Sequence, residues 1–504
     1  MSFWTSYLQA AEAGQPVWLG DLKASAASAA EAAPLVLRLT GLDGAQADFP
    51  LSLPPWEGEA ERAFAQDLLC ASVFNLLSAR GGRGLTLCFD TRNAALGALV
   101  GALPGVFQLN DARRGGLGKA ISVSNRITGG RFAFSTLDIR DVAPLPPPPA
   151  PAREDLAGRL LAAAERASRG LCAGLDVGGT DVKLAVARGG ELLLTRDFDW
   201  DPALSPTAAG LIDPMLTLLE DTLRDCGAAG FDAIGLSFPD VVIGDRICGG
   251  ETPKTRGIRD NPALDYEAEF AKISALGERL RSLCVPGGRV HLTNDGNMAA
   301  FTAAVELAFS GAALEGGVLA HSLGTDLGSG WLRPDGRIPA IPLEAYDFLF
   351  DLGSRPQRAW PAADLRSVCN ENSGLPGARR YLGQAACFRM AQELQPSLLE
   401  GFAIEADAAL MIPSEQRKPC LEHLMAEAER GDAAAEEIFR RVGEHLGQVS
   451  REIGALLRPE TKERYLYGRF VKRERCFALI REGCAAVAAF GQAVGAITYP
   501  WTEE

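Results

Sequence analysis

The sequence predicts an α/β protein of two mixed-sheet lobes with a cleft between them, preceded by a separate small α/β domain. Three observations predict it. A Gly-rich strand–turn–strand pattern at residues 171–196 returns at 317–341, and both copies place Gly-Thr-Asp at the turn, as Gly179-Thr180-Asp181 and Gly324-Thr325-Asp326. Long-period self-similarity of this kind marks a duplicated structural unit. Between the copies, segments with helical and strand periodicity alternate, which is the pattern of mixed sheets covered by helices. Finally, the run Ala143-Pro-Leu-Pro-Pro-Pro-Pro-Ala-Pro-Ala152 separates this region from what precedes it. Successive prolines remove backbone donors and favour extended polyproline II, so the run is a spacer.

Length and composition set the frame. At ~100–200 residues per domain, the 504 residues suggest about three domains. With 47% hydrophobic and 23% charged residues the chain can bury a sizeable core. Its 50 Lys+Arg against 64 Asp+Glu give a net charge of −14, which repels phosphate backbones and disfavours nucleic acid as a partner. The densest basic run, 464–475, is broken by Tyr465, Tyr467, Phe470 and Glu474. No window holds the ~18–20 apolar residues of a membrane span, so no membrane partner is expected. The start, Met-Ser-Phe-Trp-Thr-Ser, lacks the basic and apolar regions of a signal peptide. Eleven cysteines lie singly between Cys70 and Cys484 with no Cys-x-x-Cys pair. That spacing is neither a disulfide framework nor a zinc cluster, and reads as reduced thiols in a cytoplasmic protein.

In chain order, residues 1–142 carry strand-like runs at 35–39 and 84–89 and an apolar-periodic helix near 62–78. They hold no assignable motif. An oligomerisation module, a lid and a second binding domain all fit. After the linker (143–153), a first lobe spans 154–310 and a second 311–504. The first opens with a helix at 154–168, apolar at Leu156, Leu160, Leu161 and Ala164. Strands follow at 171–175, 182–187 and 191–196, the last two joined by Gly189-Gly190. Then come a helix (206–226), a strand (233–238), a helix (266–283), a strand (290–293) and a helix (297–309). The second copy places strands at 317–322 and 337–341, with Trp331-Leu332 continuing outward from the turn and Pro334-Asp-Gly336 turning into the last strand. The helix at 420–430, rich in Glu, reads as a solvated face.

The turns carry the chemistry. Asp176-Val-Gly-Gly-Thr places backbone N–H groups in one concavity with no Cβ in the way, a seat for phosphate oxygens to which Thr180 adds a hydroxyl. Asp176 can bind a hydrated Mg²⁺, and Lys183 can support phosphate as a point charge. Gly324, Thr325, Gly328 and Gly330 supply the opposing donors. A plain hairpin explains one such loop; two matched copies favour phosphate. A third feature, Thr293-Asn294-Asp295-Gly296-Asn297, lies between a strand and a helix. A carboxylate there suits a general base, whereas taken alone the segment reads first as Asp295 or Asn297 serving as a helix N-cap. Of the four histidines, His291 and His321 lie in strands near these motifs, with packing and catalysis both open; His423 and His445 read as surface residues in charge-mixed helices.

The order of these motifs resembles the ROK family, which groups sugar kinases and sugar-responsive repressors within the actin-like ATPase and hexokinase superfamily. Leu175-Asp-Val-Gly-Gly-Thr-Asp-Val-Lys183 is similar to its first phosphate motif, and Leu323-Gly-Thr-Asp-Leu-Gly-Ser-Gly330 to its second. Ile234-Gly-Leu-Ser-Phe-Pro239 resembles a loop shaping the sugar site, which draws in Pro239 and Asp240. Asn294-Asp295-Gly-Asn297 resembles the segment whose Asp takes the proton from the sugar hydroxyl. Leu457-Arg-Pro-Glu460 and Tyr465-Leu-Tyr-Gly468 resemble the strand entering the adenosine-binding turn, and 491–496 the closing helix. The resemblance spans about 170–500 and implies an actin-like ATPase (ribonuclease H-like) two-lobe fold. It implies ATP and Mg²⁺ as cofactors, a small-molecule sugar-like substrate and a homodimer. Asp295 becomes the base, with Asn294, Asn297, Glu344, Pro239 and Asp240 on the acceptor. Asp176, Gly178, Gly179, Thr180, Lys183, Gly324, Thr325, Gly328 and Gly468 fall on the nucleotide, with the metal held through water at Asp176.

The sequence departs from the family in several places. Its His and Cys zinc motif has no counterpart, so no zinc site is expected. Glu344, in Pro342-Leu-Glu-Ala-Tyr-Asp347, falls near the family's sugar-binding Glu, and Asp347 stands where a His is usual. Gly468-Arg469-Phe470 replaces paired glycines, and Asp240 follows Pro239 where a Gly is typical. Asn370-Glu-Asn-Ser373 reads either as a cleft lining or as a solvated loop. The leading expectation is ATP-dependent phosphorylation of a sugar hydroxyl. An inactive sugar- or nucleotide-binding regulator and an ATPase on the same scaffold are the rivals.

Overall fold

The computed structural model describes residues 2–108, 116–146, 155–178, 181–249, 253–370, 374–461, 464–487 and 494–496. The first part holds β1 (Ala33–Thr40), β2 (Gln46–Leu53), β3 (Gly84–Phe89) and β4 (Ala133–Asp138), in sheet order β2-β1-β3-β4. Strand β1 is antiparallel to both β2 and β3, whereas β3 and β4 are parallel. Alternation buries Leu35, Leu37 and Leu39 of β1. Helix α1 (Glu59–Arg80) is buried at every position from Leu68 to Ala79. A helix apolar on all sides needs protein on all sides. A shorter helix, α2 (Gly118–Thr128), is buried from Gly118 to Ser124.

Helix α3 (Leu156–Ala167) begins where Asp155 accepts a hydrogen bond from the Gly158 N–H at 2.9 Å. Strands β5 (Leu171–Val177), β6 (Asp181–Arg188) and β7 (Glu191–Asp199) then form an antiparallel meander. Gly189 and Gly190 turn β6 into β7 with φ of 64° and 83°, the left-handed pair that a two-residue hairpin requires. Helix α4 (Ala208–Asp225) leads to β8 (Phe231–Phe238). The single helix expected at 266–283 is two, α5 (Tyr266–Ser274) and α6 (Leu276–Arg281). The break lets Gly277 lie against the chain at Asp245, whose carbonyl oxygen would stand 3.0 Å from a Cβ there. Strand β9 (Cys284–Asn294) is longer than expected, carrying its Pro-Gly-Gly in a register shift, and runs directly into α7 (Asp295–Phe309). Sheet order is β9-β8-β5-β6-β7, with β5, β8 and β9 parallel. This is the ribonuclease H-like arrangement the sequence predicts. Its core joins residues such as Leu175, Val182, Leu211, Leu219, Phe231 and Leu236.

The second copy forms β10 (Val318–Leu323) and β11 (Leu327–Leu332), joined by a turn too short for anything but an antiparallel pair. With β12 (Arg464–Tyr467) and β13 (Val494–Ala496) they give the order β11-β10-β12-β13. Two expectations change here. Pro334-Asp-Gly336 makes its turn, with Gly336 N–H bonded to the Arg333 carbonyl at 2.8 Å, but 337–341 is not a strand. Pro339 and Pro342 deny that stretch the donors a ladder needs. Of 491–496, expected as a closing helix, residues 491–493 lie outside the described residues and 494–496 are β13, parallel to β12. Helix α8 (Ala433–Leu457), capped by Asp432 on the Ala435 N–H at 2.9 Å, is the longest helix described.

The chain packs into two compact units, and these do not follow chain order. One comprises residues 151–320 and 330–342; the other comprises 1–150, 321–329 and 343–504. Residues 1–150 are therefore joined to much of the second half rather than standing alone. The joints are buried and specific. Asn75 of α1 donates to the Leu349 carbonyl (2.9 Å) and accepts from the Leu349 N–H (2.8 Å). Asp351 accepts from the Val17 N–H at 2.7 Å, and Trp18 stacks on Phe350 with centroids 5.4 Å apart. Lys23 pairs with Glu452 of α8 at 2.7 Å.

His445 belongs to this joint, which corrects its expected surface position. It is 7% exposed, packed against Trp18 and Tyr381, with Nδ1 3.0 Å from the Tyr381 carbonyl. Burial, with Arg389 adding, pushes its pKa down to about 3. His321 is pushed to about 3 by burial and then by Arg464. Both stay neutral in the native state and take up a proton on unfolding below pH ~6.5, so acid weakens the fold. Each should cost about 2 kcal/mol of stability between pH 7 and pH 5. Denaturant unfolding at the two pH values should show His445→Gln losing about 2 kcal/mol less than wild type on acidification.

Among the described residues, no helix is long and apolar enough to cross a membrane, and no group of three or more His, Cys, Asp or Glu side chains gathers to hold a metal. All eleven cysteines are free thiols.

Candidate active site

In the unit of residues 151–320 and 330–342, parallel pairing brings three sequence-predicted segments to one sheet edge. Asp176 stands beside Ser237 in β5–β8, and Asn294 beside Phe238 in β8–β9. Asp176, the Pro239-Asp240 loop and Asn294-Asp295 thus occupy the carboxyl ends of three adjacent strands, where α/β sheets place their ligands.

This edge is framed by groups that bond to each other. Asn294 uses both ends of its amide. Its oxygen caps α7 through the Gly296 N–H (2.9 Å), and its nitrogen donates to the Asp240 carbonyl (2.9 Å). Asp240 is 3% exposed, and its carboxylate accepts the Val241 N–H at 2.7 Å. Gly249 lies so close that any Cβ would overlap that carboxylate. Asn297 is buried and accepts the Trp331 N–H at 3.2 Å. Gly330, expected among the phosphate donors, is instead wedged against α7, where a Cβ would come within 1.9 Å of the Gly296 carbonyl oxygen. Asp295 and Asp176 are the exposed carboxylates at this edge, while Asp240 is buried.

Of the first turn, Gly179 and Thr180 lie outside the described residues. Gly178 closes the hairpin, its N–H donating to the Asp181 carbonyl at 2.8 Å. Lys183 pairs with Asp181 on the same strand face. Burial opposes its charge, but Asp181 outweighs this, with Asp197 and Asp176 adding, so its pKa is raised. The ammonium remains half-exposed beside the turn. An exposed carboxylate at Asp176, close to Gly178, fits a hydrated divalent cation.

The second turn belongs to the other unit. Gly324 faces open space where a Cβ would stand, and Thr325 is exposed, which fits phosphate oxygens. The turn is held from behind. The Gly324 carbonyl accepts the Gln384 N–H at 2.9 Å, and Asp326 pairs with Arg379 at 2.5 Å. Gly328 lies one residue into β11. Beneath the hairpin, buried His321 meets Ser329 at 2.9 Å. Gly468 follows β12 with φ 98°, and a Cβ there would lie 2.1 Å from the Leu323 carbonyl oxygen. Only glycine fits on both counts. Phe470, two residues on, is buried against Phe439.

Glu344 lies in this same unit, in a buried polar cluster with Tyr346, Asp347, Asn370 and Lys119. Asn370 is fully buried, while 371–373 lie outside the described residues. Sequence reasoning missed Lys119 altogether. Its signal was one lysine within the otherwise small and apolar run Gly118-Lys-Ala-Ile-Ser-Val-Ser124. His291 is largely exposed, 3.7 Å from Asp245.

No protein-family model and no curated protein matches the sequence. Solved structures do. A ROK family glucokinase from Streptomyces griseus, in complex with glucose and AMPPNP, is 20% identical over 65% of this chain and 94% of its own, with a TM-score of 0.43. A putative N-acetylmannosamine kinase from Listeria monocytogenes is 18% identical over 65% and 94%, with a TM-score of 0.42. A ROK family transcriptional regulator, a homolog of the E. coli MLC protein, is 15% identical over 65% and 73%, with a TM-score of 0.41.

Proposed function

We propose that this chain is an ATP-dependent kinase that phosphorylates a hydroxyl of a sugar or sugar derivative. The observation that supports it most is the sheet edge at which two exposed carboxylates, Asp176 and Asp295, stand on a frame of buried amides and glycines. In this reading Asp295 takes the proton of the acceptor hydroxyl as its oxygen bonds to the γ-phosphorus and ADP leaves. Asn294, Asn297 and the Pro239-Asp240 loop fix Asp295 in place, and Glu344 contacts acceptor hydroxyls. Backbone groups of Gly178, Gly179, Gly324 and Gly328, the hydroxyls of Thr180 and Thr325, and Lys183 hold phosphate, with Gly468 in the adenosine turn. Asp176 would hold a hydrated Mg²⁺, which would supply neutralisation of phosphate charge. The overall charge of −14 leaves that role to local groups rather than to a basic surface.

Calorimetry with ATP, with and without Mg²⁺, and thermal shift with a sugar panel test the reading. ATP should bind only with Mg²⁺, and one sugar should stabilise the fold by about 2.7 kcal/mol at a hundred times its Kd. Sugar binding without nucleotide binding would indicate a regulatory sugar-binding protein instead. ADP release that needs no sugar would indicate an ATPase.

A further inference from the structure

The cluster around Glu344 is assembled from residues far apart in the chain, all within one compact unit. Lys119 is 5% exposed, and its Nζ lies 2.5 Å from Asp347 Oδ2, 2.5 Å from Tyr346 Oη and 3.9 Å from Glu344 Oε2. Asn370 donates to the other oxygen of Asp347 at 3.1 Å. The segment itself is latched to the end of α1, with the Leu343 N–H on the Ala79 carbonyl (3.1 Å) and the Glu344 N–H on the Ser78 carbonyl (2.9 Å). Leu343 has φ 50°, a left-handed conformation that a branched residue keeps only when its surroundings impose it.

Among the described residues, two carboxylates one helical turn apart, Glu344 and Asp347, thus approach the Lys119 ammonium. Asp347 takes it by hydrogen bond; Glu344 takes it through space, beyond hydrogen-bond length. A purely structural ion pair would need Asp347 alone. The latch falls on Leu343 and Glu344 and the strained residue immediately precedes Glu344.

We propose that Lys119, supplied by the first 150 residues, is a positioning residue for acceptor binding, balancing the charge of Glu344 and fixing where its carboxylate points. This rests on Glu344 contacting the acceptor. It gives residues 1–150 a part in substrate recognition, reached through Glu344 rather than by touching substrate.

The test uses the full chain, ATP·Mg²⁺, and glucose and N-acetylmannosamine as acceptor probes. Removing Lys119 alone buries an uncompensated Asp347 and threatens the fold, so the informative variant is Lys119→Met with Asp347→Asn, which removes both charges. Its melting temperature should stay near wild type, while the KM for the acceptor rises about tenfold or more and the KM for ATP holds. Glu344→Gln should raise the acceptor KM similarly, and adding it to the double variant should raise KM little further. A stable double variant with an unchanged acceptor KM overturns the role of Lys119, even where Glu344→Gln is impaired. Glu344→Gln with an unchanged acceptor KM removes Glu344 from the site and the proposal with it. A wild type that turns over neither probe, nor any other sugar, overturns the kinase reading first.

Discussion

Asp295→Asn is expected to lower kcat for the sugar acceptor by about a thousandfold, the middle of the range that a positioned general base supplies. The fold should not notice. The cap of α7 is carried by Asn294, and asparagine keeps an oxygen where Asp295 accepts the Gly296 N–H at 2.9 Å. If Asp295 is the base, the change removes the group that takes the proton, so the KM for ATP should hold while kcat collapses. Asp240→Asn is the control, because it alters a carboxylate of the same sheet edge that is 3% exposed and tied to its own loop. That variant should lower the melting temperature more than it lowers kcat. Steady-state kinetics and thermal melts on the two proteins separate base from frame. If Asp295→Asn keeps kcat within about tenfold of wild type, Asp295 is not the base.

The contrast between those two aspartates shows what the sequence could and could not disclose. The meander of β5 to β7, the strands β8 and β9 and the helix starting at Asp295 were legible because each rests on local signals. Alternation, Gly-Gly turns and caps act within a few residues. Which aspartate of the site is exposed was not legible, because it is Gly249 and Val241 that close on Asp240, while Asp295 at the start of α7 stays exposed. Gly330 was misjudged for a related reason. A glycine beside a phosphate-type turn and a glycine needed for backbone packing look alike until Gly296 is placed against it. Proline could have warned against a strand at 337–341, since Pro339 and Pro342 are visible in the chain. His445 and Lys119 were hidden more deeply. Polar residues on a helix read as solvated, and only contacts across hundreds of residues bury them. The same holds for the first 150 residues. The proline run is a spacer by composition, yet composition does not say whether the parts it joins fold apart.

Asn75→Ala decides that last question. Asn75 is fully buried in α1, and its amide satisfies both the N–H and the carbonyl of Leu349 while also donating to Glu452 at 3.2 Å. Alanine leaves two buried backbone groups without their partner and a cavity the size of an amide. That combination should cost about 3–5 kcal/mol. In a unit of this size the melting temperature should fall by roughly 10 °C. Arg62→Ala on the exposed face of the same helix, where the side chain is 54% accessible and pairs with Glu59, should cost less than about 0.5 kcal/mol. The pattern matters more than the size. If 1–150 were an appended domain, Asn75→Ala would loosen that domain and leave the rest of the unit protected. Because Asn75 ties α1 to Leu349 and to α8, hydrogen exchange should instead accelerate together in 59–80, 344–351 and 433–457. Loss of protection confined to residues before 146 would show that the two parts open independently, and the joint would then be a contact between domains rather than a shared core.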